Sequence, residues 1–321
     1  MRTTLKDIAK HVNVSKSLVS MYLNNHALSA KIADSTKKRI DEAVKELNYR
    51  PSYTAKALSN GKTKTIGLIC GGITNPYFSH LIEEALNESA RHGYQLIISI
   101  TRWIQEEEEA CFDSLIQRQI DGIINCLHLR SESPLYSMLK KSKIPVCGMN
   151  TINTDFAAYN IKLDNAMDEA VNCLAQRGHK RILGFFYHES EWASTFISAC
   201  EKFGIIAEPQ YTLPKYPLDI SVSIDEILQK KPSAIIMNGY EIITEFSRIL
   251  LENDSTYRPE IIIGNDDFMK IPQNQYITGC IHSNMHELTR SAVGYLIESI
   301  ENPQKDKHVV EYFPAIFIKK A

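Results

Sequence analysis

The first side chains with recognisable chemistry lie at the start of a short predicted helix, in the run SKSLVSMYLN (15–24). The helical period places Lys16, Ser17, Ser20 and Met21 away from the apolar residues of that helix. A lysine can donate to guanine O6 and N7, a serine can serve either base type, and a methionine makes only apolar contacts, for instance with a thymine methyl. By position, Lys16, Ser17 and Met21 are candidate readers of DNA base edges.

Two short helices joined by a tight turn would hold these side chains in place. The first is predicted over Leu5–Val12, with Thr4 as its N-cap and Asp7 as the capping-box partner. Ser15 is the predicted N-cap of the second, and a third helix over 34–47 would close a small core. This arrangement is typical of a helix-turn-helix, whose second helix lies in the major groove, although an ordinary helical hairpin has the same pattern.

Charge distribution separates these two interpretations. Residues 1–62 hold 12 Lys or Arg against 5 Asp or Glu, a net charge of +7; the whole chain carries −2, so residues 63–321 carry −9. A basic segment on an acidic body indicates that the basic segment meets a polyanion. The charge therefore favours DNA binding by the N-terminal segment.

The cysteines and the lengths of the apolar runs indicate the cellular compartment of the protein. Seven cysteines are scattered, none in a Cys-x-x-Cys pair, which favours buried free thiols in a reducing cytoplasm over a metal site or disulfides. The N-terminal residues contain no signal core, and no run approaches the ~20 apolar residues of a membrane span. We expect a cytoplasmic protein without a membrane partner.

From residue 65 onward the sequence alternates between short apolar runs and amphipathic stretches. The predicted strands are 65–70, 94–100, 122–127, 144–149, 181–187, 233–238 and 260–264, and the predicted helices are 77–92, 105–118, 165–177, 190–203 and 240–253. Continuous apolar strands separated by helices indicate parallel sheets. The series pauses over the polar stretch 150–159 and then resumes. The predicted fold class is therefore α/β, with two similar lobes and a cleft between them.

Polar and aromatic side chains follow several predicted strands, where open α/β sheets bind ligands. These candidate effector-binding residues are Asn75, Tyr77, Phe78, Arg102, Trp103, Trp192, Tyr240 and Asp266. Aromatic faces with a few polar groups suit a sugar or another small polyol or ring compound. For Trp192, a place in the core is the alternative to lining the cleft.

Enzymatic signatures are absent from the sequence. It has no Gly-x-Ser-x-Gly, Gly-x-Gly-x-x-Gly, phosphate-loop or His-Glu-x-x-His motif, so we predict no catalytic residues and no cofactor. His282 and His286 are four residues apart, but the first is predicted at a strand end and the second in a helix. A metal site is therefore not predicted.

Several segments together resemble the lactose-repressor (LacI/GalR) family of transcriptional regulators, along essentially the whole chain. They are LKDIAKHVNVSKSLVSMYLN, KELNYRPSYTAKALSNGKTKTIGLI, ITNPYF, QIDGII, RGHKRI and IIIGNDD. The resemblance implies a helix-turn-helix head (1–49), a hinge helix and linker (50–63), and a two-lobed periplasmic-binding-protein-like core (64–321). It also implies a homodimeric repressor that binds a pseudo-palindromic operator and is controlled by a small effector, a sugar or sugar derivative, in the cleft.

The resemblance assigns further roles to residues in the head and hinge. Thr4, Ser15, Ser20 and Asn24 match positions that hold DNA phosphates in the family. Ala55 and Leu58 match the small residue and the leucine with which paired hinge helices wedge open the minor groove. From composition alone, the hinge segment could instead be a plain tether.

This chain departs from the family pattern at several positions. The family commonly has an arginine where Met21 stands and another where Trp192 stands, and an Asn-Asp pair where Gly239 and Tyr240 stand. The departure at Met21 affects which operator sequence is preferred. The departures at Trp192, Gly239 and Tyr240 affect how the hydroxyls of a sugar would be bound. A solute-binding receptor or an α/β enzyme without DNA binding is the alternative function, which steep salt dependence of DNA binding would exclude.

Overall fold

The computed structural model describes residues 3–24, 27–50, 61–127, 134–151, 155–187, 191–212, 221–252, 256–264, 276–305 and 308–320. Three predicted site residues, Ala55, Leu58 and Asp266, lie outside these ranges. The chain separates into two compact units, Met1–Thr63 and Lys64–Ala321, called here the first and second unit.

Three α-helices and a 3-10 turn make up the described part of the first unit. They are α1 (Leu5–Val12), α2 (Lys16–Leu23), the 3-10 turn Ala27–Lys31, and α3 (Asp34–Glu46). The predicted capping box is present, since the Thr4 N–H donates to Asp7 Oδ2 at 2.8 Å. Ile8, Val19 and Ile40, one from each helix, are completely buried against one another. The predicted helix-turn-helix and its third helix are confirmed.

The second unit consists of two sheets with helices on both faces. Its strands in chain order are β1 (Thr65–Cys70), β2 (Gln95–Ile100), β3 (Gly122–Asn125), β4 (Val146–Met149), β5 (Ala157–Lys162), β6 (Arg181–Tyr187), β7 (Ile206–Thr212), β8 (Ala234–Met237), β9 (Glu260–Gly264), β10 (Ile277–His282), β11 (Val310–Pro314) and β12 (Ile316–Lys319). Its α-helices are α4 (Pro76–Arg91), α5 (Gln105–Gln117), α6 (Pro134–Ser142), α7 (Asp164–Gln176), α8 (Glu191–Lys202), α9 (Ser221–Lys230), α10 (Tyr240–Glu252) and α11 (Met285–Glu301).

Strand pairing defines the two lobes. The sheet of the first lobe has the order β11-β5-β4-β3-β1-β2, and the sheet of the second lobe has the order β12-β10-β9-β8-β6-β7. Every pairing is parallel except that of β12 with β10. The predicted α/β fold with two lobes of parallel sheets is confirmed.

Both faces of each sheet are covered, which explains the continuous apolar runs. In β1, Leu68 packs in the cluster with α4 and α11, and its neighbour Ile69 packs in the cluster with α5 and α6. In β6, Ile182 packs towards α7 and α8, and Leu183 packs towards α9 and α10. Burial on both sides favours Ile, Leu and Val at every strand position.

The chain passes between the lobes three times, each time where a strand ends. The first crossing follows β5 of the first lobe and leads into α7, which packs on β10 and β12 of the second lobe. The second follows β10 and leads into α11, which packs on β3, β4 and β5 of the first lobe. The third joins β11 of the first lobe to β12 of the second, with Ala315 alone between them. The predicted pause over 150–159 was wrong in part, because Ala157–Lys162 forms the buried strand β5. Its polar residue Asn160 is satisfied there by accepting a hydrogen bond from Thr151 N at 3.0 Å.

Of the helices in the described part of the chain, none combines the length and the apolarity that crossing a bilayer requires. All seven cysteines are free thiols.

Candidate nucleic-acid interface and ligand cleft

The start of α2 presents its polar side chains to solvent. Ser15 adopts an extended backbone, and its Oγ accepts a hydrogen bond from Leu18 N at 3.1 Å, which caps the helix. Lys16 and Ser17 are exposed, and Met21 is partly exposed. The three predicted base readers thus lie on the accessible face of one helix.

Packing and one polar contact fix the orientation of α2. Val19 is completely buried, and Tyr22 OH donates to Asp41 Oδ2 on α3 at 2.8 Å. That hydrogen bond raises the pKa of the Tyr22 phenol. A rigid attachment of this kind holds the exposed face of α2 in one geometry.

The predicted phosphate-contacting residues are placed at helix ends. Thr4 precedes α1 and is exposed, and Ser15 caps α2. Near the end of α2, Asn24 Nδ2 donates to Ser20 Oγ at 3.3 Å. All four carry short hydroxyl or amide groups, which suit phosphate oxygens as well as helix caps.

In the second unit, the residues after β1 form one wall of a cleft between the lobes. Asn75 caps α4, since its Oδ1 accepts from Tyr77 N at 2.9 Å. Tyr77 OH is hydrogen-bonded to Asn150 Nδ2 at the end of β4, and burial raises the pKa of the Tyr77 phenol. Phe78 is buried and meets the Tyr77 ring edge-on, with centroids 5.0 Å apart. These predicted residues are therefore brought together.

The turn after β2 carries Arg102 and Trp103, both in the left-handed region with φ of 52° and 57°. Such a backbone is costly for a bulky residue, and strained residues cluster at ligand clamps. The Trp103 indole lies over Gly71, where an added Cβ would come within 2.1 Å of the ring. The Arg102 guanidinium turns away to Glu107, 2.7 Å distant, on the first turn of α5.

The second lobe supplies the opposite wall. The ring of Trp192, near the start of α8, lies against Gly264 at the end of β9, and it stacks at a tilt near Phe186 with centroids 6.4 Å apart. Trp192 is partly buried, which places it both in the wall and against the core. Gly239 has φ of +120°, and an added Cβ would lie 2.7 Å from the Tyr187 ring. Gly239 stands where the family commonly has the asparagine of an Asn-Asp pair. Because glycine has no side chain, the Tyr187 ring can lie against the backbone here.

Glu241 connects the two walls. Its Oε2 accepts from Tyr187 OH at 2.7 Å within the second lobe and from Asn75 Nδ2 at 3.5 Å across the cleft. Burial raises the pKa of Tyr187, and the negative charge of Glu241 adds to this. Glu241 is not among the predicted residues. The sequence feature that could have identified Glu241 is its position next to the predicted residue Tyr240, in the first turn of the helix that follows β8.

Asn125 is a second cleft-edge residue absent from the predicted set. It ends β3, is 1% exposed, and donates from Nδ2 to Leu127 O at 2.9 Å. Its Oδ1 has no hydrogen-bond partner among the described residues. A buried amide oxygen without a partner is costly, and its burial keeps it out of reach of a ligand in this structure. The sequence feature that could have identified Asn125 is a polar residue at the end of the otherwise apolar strand GIIN.

The RGHKRI segment has a structural role at the amino-terminal ends of the strands in the second sheet. Arg177 forms an ion pair with Glu260 at the start of β9, and His179 Nδ1 lies 2.8 Å from Ser233 Oγ before β8. Burial would raise the pKa of Glu260, but hydrogen bonds from Arg177 and His179 outweigh it and lower that pKa.

Among the described residues, no group of three His, Cys, Asp or Glu side chains is placed to hold a metal ion. His286 instead lies 3.2 Å from Glu84 on α4, in an ion network with Arg290.

Two protein-family models match the chain. One, described as bacterial regulatory proteins of the lacI family, matches residues 4–52, and the other, described as periplasmic binding proteins and sugar binding domain of the LacI family, matches residues 63–210. The matched ranges correspond to the helical first unit and to most of the strands that build the cleft walls.

Individual relatives agree with these matches. The HTH-type transcriptional repressor PurR of Erwinia tasmaniensis is 26% identical over 99% of this chain and 96% of its own. Catabolite control protein A of Staphylococcus epidermidis is 32% identical over 56% of this chain, which spans only about half, 54%, of that relative. The solved lac repressor dimer bound to operator and the anti-inducer ONPF superposes with a TM-score of 0.81 at 17% identity, covering 99% of this chain and 98% of that one, which shows a shared fold.

Proposed function

This chain belongs to the lacI family of bacterial regulatory proteins, and on that premise we propose that it is a repressor that binds a pseudo-palindromic DNA operator as a homodimer and responds to a small sugar-like effector. The family consists of DNA-binding transcriptional regulators with an effector-binding domain, and not of enzymes. The observation that best supports DNA binding is the packing of α2. This helix lies in a segment of net charge +7, and Lys16 and Ser17 are exposed at its start.

Base reading is assigned to Lys16, Ser17 and Met21, since a helix in the major groove contacts base edges with its N-terminal residues. Phosphate contacts are assigned to the hydroxyl and amide side chains at the helix ends, which are Thr4, Ser15, Ser20 and Asn24. The assignment of Ala55 and Leu58 to a minor-groove wedge rests on the resemblance alone.

Effector binding is assigned to the cleft of the second unit. Support comes from an aromatic ring on each wall, Trp103 on one and Trp192 on the other, and from the Asn75 amide, which meets Glu241 across the cleft. Rings of this kind stack on sugars, and amides bond their hydroxyls. Tyr77, Phe78, Tyr240 and Asp266 are retained as proposed members of the site; of these, Tyr240 packs partly against the apolar cluster of the second lobe.

Homodimerisation is assigned to the edge of the first lobe. The edge strand β2 carries Ile98, 37% exposed, and its neighbours Leu86 on α4 and Ile104 before α5 are 42% and 39% exposed. Exposed apolar side chains grouped at a sheet edge mark an interaction surface. A two-fold symmetric dimer would match a two-fold symmetric operator.

Selection of DNA from a random library by the full-length protein tests this function. We expect the enriched sequences to share an inverted repeat whose half-sites are about one helical turn apart. Enrichment of no common sequence would contradict operator recognition and would favour a solute receptor or enzyme. A parallel melting-temperature screen with sugars tests the effector, because a ligand that binds only the folded state raises the melting temperature.

A further inference from the structure

We propose that Glu241 selects the charge of the effector, so that the cleft takes a compound bearing a protonated amine and rejects phosphorylated or carboxylated ones. This inference rests on the proposed effector-binding function of the cleft and specifies the ligand class. It follows from the contacts of one carboxylate and from the distribution of charge around it.

The Glu241 carboxylate is held at the cleft by neutral donors only. Tyr187 OH and Asn75 Nδ2 both approach the same oxygen, Oε2, at 2.7 and 3.5 Å. Neither donor carries charge, and no basic side chain among the described residues lies within ion-pair distance of Glu241. No positively charged side chain among the described residues therefore offsets this carboxylate at the junction of the two walls.

The second oxygen of this carboxylate is available to a ligand. Oε1 accepts no hydrogen bond from the described residues, whereas an ionised carboxylate offers about four lone-pair sites in total. Glu241 is only partly buried, so a ligand atom can reach it. A protonated amine there would form a charge-assisted hydrogen bond, roughly twice as strong as a neutral one.

The cleft residues that the structure describes add no compensating positive charge. Arg102, the one predicted cleft residue with a cationic side chain, is engaged by Glu107 at 2.7 Å. Glu191, an exposed residue that begins α8 beside Trp192, is a further acidic side chain in this part of the second lobe. A phosphate or carboxylate entering this cleft would meet like charge without a counterion from the described residues.

Aromatic rings near Glu241 favour the same ligand. Tyr187 donates to the carboxylate directly, and Trp192 lies on Gly264 in the same wall. A cation is attracted to the face of such rings as well as to the carboxylate.

A matched ligand panel on the full-length protein tests the assignment. The probes are glucose, glucosamine, N-acetylglucosamine and glucose 6-phosphate, with the corresponding forms of galactose and mannose. Trp103 and Trp192 are the chain's two tryptophans, so intrinsic fluorescence reports the cleft. We expect an aminated probe to bind, its acetylated form to bind more weakly because acetylation removes the charge, and phosphorylated probes not to bind.

Substitution separates charge from shape. Glu241→Gln should weaken binding of the aminated probe about ten- to hundredfold, the range for losing one hydrogen bond to a charged group, while leaving the neutral sugar little changed. Glu252→Gln is the control, since it removes one charge from the exposed end of the same helix. If Glu241→Gln is misfolded by its melting curve, Tyr187→Phe is measured instead; it keeps the carboxylate and should keep the preference for amine over phosphate.

Three results would overturn the assignment: no aminated probe binds, a phosphorylated probe binds more tightly than its aminated partner, or Glu241→Gln weakens neutral and aminated probes equally. Operator binding is measured in the same preparation. Retained operator binding with any of these results refutes only the role of Glu241, whereas absent operator binding refutes the proposed function.

Discussion

At the scale of single residues, the two candidate sites depend on side chains whose neighbours fix them. Lys16 follows a capped turn and stands on a helix anchored by Val19, and Trp103 rests on the bare backbone of Gly71. The backbone that carries Lys16 and the ring of Trp103 are therefore held in defined positions. That property makes single substitutions informative.

Replacing Lys16 with alanine should weaken binding to the selected operator by about 1–3 kcal/mol, roughly ten- to a hundredfold, because a base contact is lost. Binding to unrelated DNA should change much less. Gel-shift titrations on both DNAs measure the difference. Lys38→Ala, which removes the same charge from an exposed position on α3, is the matched control. Equal loss on both DNAs would show that Lys16 contacts phosphate only.

Gly71→Ala should displace Trp103, because the new methyl would stand 2.1 Å from the indole ring. The expected result is a shifted tryptophan emission spectrum together with loss of effector binding. Gly72→Ala is a close control, since an added Cβ there meets the same ring at an ordinary 3.6 Å. Identical spectra for the wild type and both variants would place Trp103 away from Gly71.

At the scale of elements, local pattern predicted what local physics determines. Helix α1 was predicted at both ends because its capping box and apolar spacing are contained in nine residues. Seven strands were predicted from their apolar runs; six of them are largely buried, and the seventh, β2, is a partly exposed edge strand. Strand β5 was missed since its sequence includes Asn160, and β7 was missed since it contains Glu208 and Pro209, which an edge strand tolerates. Glu241 was missed because its partner Asn75 is 166 residues away.

The link between α4 and α11 gives a pH-dependent prediction. Burial raises the pKa of Glu84, but hydrogen bonds and charges of Arg290 and His286 outweigh it, so the pKa lies below its ordinary value of 4.5. A lowered carboxyl pKa contributes stability above the unfolded-state pKa and loses it as the pH falls through the folded-state value. Stability from this network should therefore be present at neutral pH and decline below about pH 4.5.

Denaturant unfolding of Glu84→Gln tests this at pH 7 and in the acid range. We expect the variant to lose roughly 1–3 kcal/mol at pH 7, because it weakens hydrogen bonds to charged groups, and to lose less than the wild type on acidification. Glu83→Gln, an exposed neighbour on the same helix, should behave like the wild type. Parallel acid dependence in Glu84→Gln and wild type would exclude the network.

At the scale of the whole molecule, a basic helical unit and an acidic two-lobed unit divide recognition of DNA from recognition of a ligand. Sequence alone predicted this division from charge, and family resemblance assigned a role to each part. From the sequence we predicted a sugar or sugar derivative as the effector, which stays a prediction; the charge of that ligand did not follow from sequence, because it depends on which side chains meet across the cleft.

Assembly into a dimer is tested at the edge of the first lobe. Ile98→Lys should lower the dimer fraction in analytical ultracentrifugation, since it puts a charge into a proposed apolar interface. Ile206→Lys, at a position 53% exposed on the edge strand β7, is the control and should leave the association unchanged. An unaltered dimer in Ile98→Lys would move the interface elsewhere.

The central claim is that this chain binds a specific DNA site through its basic first unit. Its most direct test is the dissociation constant of the full-length protein for the selected inverted repeat and for a scrambled duplex, measured across a range of salt concentrations. We predict that the selected site binds about a thousandfold or more tightly than the scrambled one, and that both affinities fall steeply with salt as counterions return to the phosphates. Equal affinities for the two duplexes, or affinities independent of salt, would contradict it.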